Sequence, residues 1–389
     1  MRILGIETSC DETAAAVVEG TTPDRPVKIL SNVIASSEEF HKKTGGIVPE
    51  VASREQAKVI LPVIQEALAK IPNDIDAIAV TVGPGLVGSL LIGVETVKAL
   101  SLAWEKPLIP VNHLVAHLYA NWIEESDKRQ VTNSFSSPTH SAEASRVKKA
   151  TEGRGKKQEK VPRFPAVGLV ASGGHTDLVL MKGHPTSHKA SRGRVAIKHL
   201  GSTRDDAAGE AFDKIARMLG LGYPGGPAIS AEAGKFKVQS SKFKVQLPRP
   251  MIDSEDYDFS FSGLKTAVLN LLRSKTSRLK PSELRLMKTW LAYETQEAIC
   301  EVLTAKVKRA MEEFSPKSVL VAGGVAANNR LRQLLKSQIS NLKSQIDLFI
   351  PPVDLCTDNA ASIAAAAYYN HSPVPWQAIR VDPGLAIID

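Results

Sequence analysis

The order of elements along the chain occurs twice, and that repetition constrains the fold more than any single motif. Three short strands are expected at 2–9, 12–19 and 27–36, with turn chemistry at Ser9 to Asp11 and at Gly20 to Arg25. Ala57, Ile60, Leu61, Ile64 and Leu68 recur at helical spacing within 54–70, where Pro62 must kink the helix or sit near its first turn. A buried strand at 75–82, a glycine-broken turn, an apolar helix at 88–104, a strand at 107–112 and a helix from His113 follow. The order then returns: strands at 164–172, 175–182 and 195–201, a helical run at 205–221, a strand at 318–322, a helix from Asn328, a strand at 348–353 and a final helix from Asp358.

Two β-β-β-α-β-α halves imply a mostly parallel sheet covered by helices, built twice with a cleft between the copies. A length of 389 residues suits two lobes better than one core. The fold expected is therefore α/β, and the architecture resembles the duplicated actin-like and sugar-kinase ATPase fold, two lobes with a central cleft. The divisions expected are an N-terminal lobe at 1–125, an inserted loop at 126–162 and a C-terminal lobe at 163–356, with 357–389 packing back on the first lobe.

With 43% hydrophobic and 23% charged residues the chain can bury a sizeable core, which excludes disorder, collagen and small disulfide scaffolds. The net charge of +8 is concentrated: 126–162 holds nine basic and four acidic side chains and almost no apolar ones, so it reads as a mobile basic loop. Cys10, Cys300 and Cys356 are odd in number and far apart, which suggests neither a disulfide framework nor a thiolate zinc site. Glu7 interrupts the start before a signal-peptide core can form, and the most apolar window, 86–104, contains Glu95 and Lys98. A cytoplasmic protein without a membrane segment is the expectation.

His113 and His117 stand four apart at a helix start, hence on one face, a spacing that can chelate a metal or hold two hydrogen-bonded surface histidines. A metallopeptidase helix would need Glu directly after the first His, and Leu114 stands there. Asp358, at a strand-to-helix junction, suits a helix N-cap first and a third ligand second. If the halves face each other, His113, His117 and Asp358 form a two-His, one-carboxylate face with open positions, which suits Fe(II) and tolerates Zn(II).

Ala171-Ser172-Gly173-Gly174-His175-Thr176 joins two strands, so it is a hairpin turn or a cradle for phosphate or acyl groups. Three carboxylates lie in the tip Glu7 to Thr13, where they can hold a cation or accept a proton. Gly83-Pro84-Gly85-Leu86-Val87-Gly88 matches GxGxxG, but no ribose carboxylate ends the next strand, so close packing and helix-start donors are expected. Ser262 to Lys265 and Lys43 to Gly45 match SxxK and KTG in reversed order without SDN, a chance pairing. In Gly323-Gly324-Val325-Ala326-Ala327-Asn328-Asn329, small residues admit a planar base and an Asn can bond ribose; the same residues suit a turn and helix cap. Repeats at 235–246 and 335–346 suggest lengthened surface elements, the second an extended helix.

Ten ordered motifs are similar to the tRNA adenosine threonylcarbamoyltransferase family in its bacterial branch, once labelled a sialoglycoprotease. They are 5–13, 45–50, 83–88, 113–117, 172–176, 205–214, 223–227, 258–265, 322–328 and 356–359, and the resemblance runs from residue 2 to about 370. Departures are the long basic loop, Arg204 before Asp205, and the two repeats. The resemblance implies transfer of the threonylcarbamoyl group of threonylcarbamoyl-AMP to the N6 amine of adenosine 37 in tRNAs reading ANN codons. It implies a metal, usually iron, on His113, His117 and Asp358. It places the adenylate on Val170, Ala171, Ser172, Gly173, Gly174, Asp213, Gly226 and Asn328; Asp213 and Gly226 rest on the resemblance alone. It also suggests two partners, a shorter TsaB-like paralogue and a small TsaE-like ATPase. Asp11 or Glu12 is the candidate acceptor of the amine proton. The rival functions are a non-catalytic nucleotide-binding scaffold and a metallopeptidase. The basic loop is expected either to hold the tRNA backbone or to remain solvated.

Overall fold

Arg2–Glu7 forms β1, and with only apolar residues and Gly5 between its charged ends it can be covered on both faces, as a central α/β strand must be. The computed structural model describes residues 1–36, 48–69, 71, 75–124, 131–133, 160–183, 195–237, 246–275, 279–341 and 345–387. β1 runs antiparallel to β2 (Glu12–Glu19) and parallel to β4 (Ala77–Gly83). β3 (Lys28–Ser36) pairs antiparallel with β2, and β5 (Leu108–Asn112) parallel with β4. A short β6 (Val131–Asn133) completes the sheet order β5-β4-β1-β2-β3-β6. β6 lies inside the segment expected to be only a loop, where it pairs in parallel with β3; residues 134–159 lie outside the described residues.

The second sheet repeats this plan with β7 (Ala166–Ala171), β8 (Thr176–Lys182), β9 (Ala196–Ser202), β10 (Ser318–Ala322) and β11 (Asp347–Phe349) in the order β11-β10-β7-β8-β9. In both sheets three consecutive strands meander antiparallel, a later strand joins the first in parallel, and a still later one pairs in parallel with that strand. The duplicated α/β architecture expected from the sequence is thus present.

The described residues divide into two compact units. One holds those from Met1 to Val161 with Asp358–Ala386; the other holds those from Pro162 to Thr357 with Ile387. Each has its own apolar core, around Leu4, Ile6, Val63, Ile78 and Val97 in the first and Val167, Phe212, Phe259, Leu303 and Val321 in the second.

In the first unit, α1 (Pro49–Leu68) packs on β2 and β3, and α2 (Val87–Trp104) packs on β4 and α1. Pro62 sits in the interior of α1, more than three turns from its start, rather than near its first turn. Gly85 has φ of +157°, and a Cβ there would collide with the backbone of Ser9. The Leu86 N–H donates to the Ser9 carbonyl at 2.8 Å, so the GxGxxG glycines serve close packing. Among the described residues α2 is the one helix long and apolar enough to cross a membrane, with a third of its residues buried.

The last helix, α9 (Ala360–Tyr369), is built largely of alanine and lies on β1 and β2, close to α3 (His113–Tyr119). Small residues permit this approach. A Cβ at Gly5 would meet the Ala360 carbonyl and Ala364.

In the second unit, α4 (Ala208–Leu219), α5 (Gly225–Ala233), α6 (Ser262–Lys275), α7 (Pro281–Phe314) and α8 (Asn329–Asn341) surround the sheet. Between 222 and 317, where three of these helices lie, the sequence pattern predicts no more than a lengthened surface element at 235–246. The 34-residue α7 is buried around its circumference and carries inward charges, so it presents no apolar stripe. Those charges are paired: Glu294 with Arg249 at 3.0 Å, and Glu297 with Arg330 at 2.6 Å. α8 ends at Asn341 rather than running through the second repeat, and β11 begins at Asp347. Part of each repeat, 238–245 and 342–344, lies outside the described residues, as does the KTG match at 43–45.

Candidate functional site

Three side chains of the first unit converge on one point. His113 Nε2 and His117 Nε2 are 3.1 Å apart, and Asp358 Oδ1 lies 3.6 Å from the first and 3.2 Å from the second. Ligand atoms held about 2.0–2.2 Å from one ion at neighbouring positions stand roughly 3 Å apart, so the triangle fits a metal. The three form the one His, Cys, Asp or Glu group able to hold an ion among the described residues.

Local structure explains the convergence. Asn112 accepts the Leu114 and Val115 N–H groups at 2.9 and 3.2 Å, so this Asn caps α3 and fixes the turn that presents both imidazoles. Both histidines are buried, which removes the reading of a surface pair. Asn359, not Asp358, caps α9: its Oδ1 accepts the Ser362 N–H at 2.9 Å. The carboxylate of Asp358 is therefore not spent as a cap. Asp358 belongs to the same unit as the histidines: the duplicated order of elements puts it at a junction of the second half, whereas the expected division has 357–389 packing back on the first lobe.

Behind His113 stands Glu7, whose Oε2 lies 2.9 Å from Nδ1. An acceptor there assigns the ring proton to Nδ1 and leaves the Nε2 lone pair directed at His117 and Asp358. Burial pushes the His113 imidazolium down, yet the charges of Glu7 and Asp358 and the Glu7 hydrogen bond outweigh it and lift the group to about 9. Burial pushes Glu7 up, and the charge and hydrogen bond of His113 with the Ser9 N–H hold it below the ordinary carboxyl range. The site thus attracts positive charge, a proton or a metal cation in competition. From the sequence Glu7 is one carboxylate of a tip, and its position at a strand end is the signal that marks it.

Asp11 and Glu12 lie at the β1–β2 turn and the first residue of β2. Burial and the charges of Asp358 and Asp11 raise Glu12 well above the ordinary range. The same causes, burial and then the Asp11 and Asp358 charges, push the Cys10 thiol up.

The second unit holds the other expected residues, five of which, Val170 to Gly174, lie at the end of β7 and in the β7–β8 turn. Val170 and Ala171 end β7, and the Ser172 N–H bonds the His175 carbonyl at 2.8 Å, so 172–175 is a tight turn. Nothing lies within 4 Å of a Cβ built on Gly173, Gly174 or Gly226, so all three leave room for a ligand. The start of α4 is tied to this turn by Gly209 N–H to the Ser172 carbonyl at 3.0 Å and Ala208 N–H to Thr176 Oγ1 at 2.9 Å. Asp213 accepts the Gly225 N–H at 2.6 Å and joins α4 to α5; burial raises its carboxyl, while that bond opposes the rise. Asn328 caps α8, accepting from the Arg330 and Leu331 N–H groups at 2.8 and 3.2 Å, and donates to Ser230 Oγ and Gln296 Oε1. Ser262 and Lys265 bind Asp205 and Asp206, a structural use of the SxxK match.

The model of the family described as TsaD, tRNA N6-adenosine threonylcarbamoyltransferase, matches residues 28–136 and 148–365. A protein of that description from Thermomicrobium roseum is 46% identical over 387 residues, covering 95% of this chain and 92% of that one. Another from Bacillus licheniformis is 44% identical over 370 residues, covering 94% and 90%. Among solved structures, HypF of T. kodakarensis superposes with a TM-score of 0.51 at 12% identity, covering 95% of this chain and 47% of that one, a likeness of fold.

Proposed function

Because the chain belongs to the tRNA N6-adenosine threonylcarbamoyltransferase family, we propose that its donor is threonylcarbamoyl-AMP and its acceptor the N6 amine of adenosine 37 in tRNAs reading ANN codons. The observation that carries the reading is the convergence of His113, His117 and Asp358. These residues would hold one divalent metal, Fe(II) first and Zn(II) second, with positions left open on a two-His, one-carboxylate face. Such an ion supplies Lewis acidity that polarises a carbonyl.

The chain's own residues divide the remaining work. Val170 to Gly174, Gly226, Asp213 and Asn328 receive the adenylate, and the open space over Gly173, Gly174 and Gly226 supports this. The amine nitrogen forms a bond to the carbamoyl carbon, the bond from that carbon to the phosphate oxygen breaks, and AMP leaves with the electron pair. One amine proton passes to Asp11 or Glu12. Burial and the charges of Asp358 and Asp11 raise the proton affinity of Glu12, which is the direction a general base working near neutral pH requires.

The partners proposed are a shorter TsaB-like paralogue and a small TsaE-like ATPase. Val87, Leu91, Leu102 and Trp104 expose apolar surface on α2, which supports docking of a protein on that helix; the setting proposed is cytoplasmic. A peptidase lacks support, because buried Leu114 occupies the place of its general base. Incubating the chain with threonylcarbamoyl-AMP, tRNA and both partners should yield the modified nucleoside by mass spectrometry. Glu12→Gln and Asp11→Asn should slow single-turnover transfer. Unchanged rates in both remove them from the base role, and no modified nucleoside with wild type overturns the reading.

A further inference from the structure

Glu7 is 1% exposed, a costly place for a carboxylate unless its oxygens are occupied. They are. Oε1 accepts the Ser9 N–H at 2.5 Å, and Oε2 accepts the Thr81 hydroxyl at 2.7 Å while facing His113 Nδ1 at 2.9 Å. Ser9 Oγ also approaches His113 Nδ1 at 3.3 Å. Thr81 is wholly buried on β4, the strand beside β1, so the carboxylate is gripped by the sheet and by the turn that follows β1.

We propose that Glu7 is a positioning residue of the metal centre, with Thr81 fixing its rotamer, so that the Nε2 lone pair of His113 points where His117 and Asp358 point. This rests on the reading of those three residues as ligands. The argument is one of direction. An imidazole has two nitrogens and one proton when neutral, and a ligand nitrogen must be the bare one. A carboxylate at Nδ1 keeps the proton there and sets the ring plane, and such a partner also makes the coordinating nitrogen more basic. An amide in its place can turn its NH2 toward Nδ1 and drive the proton to Nε2, where it blocks coordination.

The test compares the full chain with Glu7→Gln, Thr81→Val and His117→Ala, using Zn(II) and anaerobic Fe(II) in competition with a chelator. Glu7→Gln should weaken metal binding about 10–100-fold, the usual loss when such a partner is removed. Thr81→Val, which keeps the carboxylate and every ligand, should weaken binding less but in the same direction. Followed by 15N chemical shift in metal-free protein above pH of about 9, where the His113 ring is neutral, the proton should sit on Nδ1 in wild type and move toward Nε2 in Glu7→Gln. Wild-type affinity in both Glu7→Gln and Thr81→Val, with the proton still on Nδ1 in Glu7→Gln, overturns the proposal. If Glu7→Gln fails to fold, Thr81→Val alone decides. Undiminished binding by His117→Ala overturns the metal reading instead, which keeps the two failures apart.

Discussion

Gln56 holds Glu12 by its backbone: the Gln56 Nε2 group donates to the Glu12 carbonyl at 2.9 Å, and to that of Cys10 at 3.1 Å, from the buried face of α1. The tip with the candidate proton acceptors is therefore fixed by a helix 44 residues further along the chain. Ser89 adds a third tie, from its hydroxyl to the Cys10 carbonyl at 3.1 Å.

Gln56→Leu keeps the volume and removes the donors, taking this bond from the Glu12 carbonyl and leaving the Cys10 carbonyl to Ser89, at a cost of about 1–3 kcal/mol. Thermal unfolding should show the loss, and single-turnover transfer should slow as Asp11 and Glu12 are released. A variant with wild-type melting temperature and rate would show that the turn holds itself.

Asn112→Ala tests the helix that carries both imidazoles. Loss of the cap should cost about 1 kcal/mol. Because α3 begins at His113, its first turn also loosens, and Zn(II) affinity should fall while all three ligands remain. Competition with a chelator reads the affinity, and retention of full affinity would detach the cap from the site.

Gly323→Ala addresses the other unit. Gly323 has φ of +85°, and a Cβ there would strike the backbone of Ala171 at the end of β7. The strain and the collision together should cost at least about 2 kcal/mol. The β7–β8 turn should shift, raising KM for threonylcarbamoyl-AMP while metal affinity stays as in wild type. A fall in metal affinity with unchanged KM would contradict that assignment.

What the sequence disclosed and what it withheld follow from range. Strands such as Glu12–Glu19 and Ser318–Ala322 were legible because burial on a sheet leaves an apolar run between turn residues. His113 and His117 were legible because a helix fixes their spacing. Asp358 was ambiguous, since an Asp before a helix suits a cap, and only the geometry shows Asn359 in that role. The Glu7–His113 contact spans 106 residues, and no local pattern encodes such a distance. The helix at Pro281–Phe314 escaped notice because Glu294, Glu297 and Lys306 read as surface charges, whereas their partners lie far along the chain.

His199 and Asp177 give a pH-dependent prediction remote from the metal centre. Their side chains meet at 3.2 Å between β9 and β8. The Asp177 hydrogen bond raises the imidazolium above its ordinary value, against a smaller effect of burial. A group whose folded value is raised contributes stability in full below its unfolded value, about 6.5, and loses it as pH rises through the folded value. The gap in melting temperature between wild type and His199→Gln should therefore be widest below pH of about 6 and shrink steadily as the solution becomes alkaline. Asp177→Asn should narrow the gap at acid pH, because the charge that favours the imidazolium is gone. A gap constant from acid to alkaline pH would show that packing, not the charge pair, carries the contribution of His199.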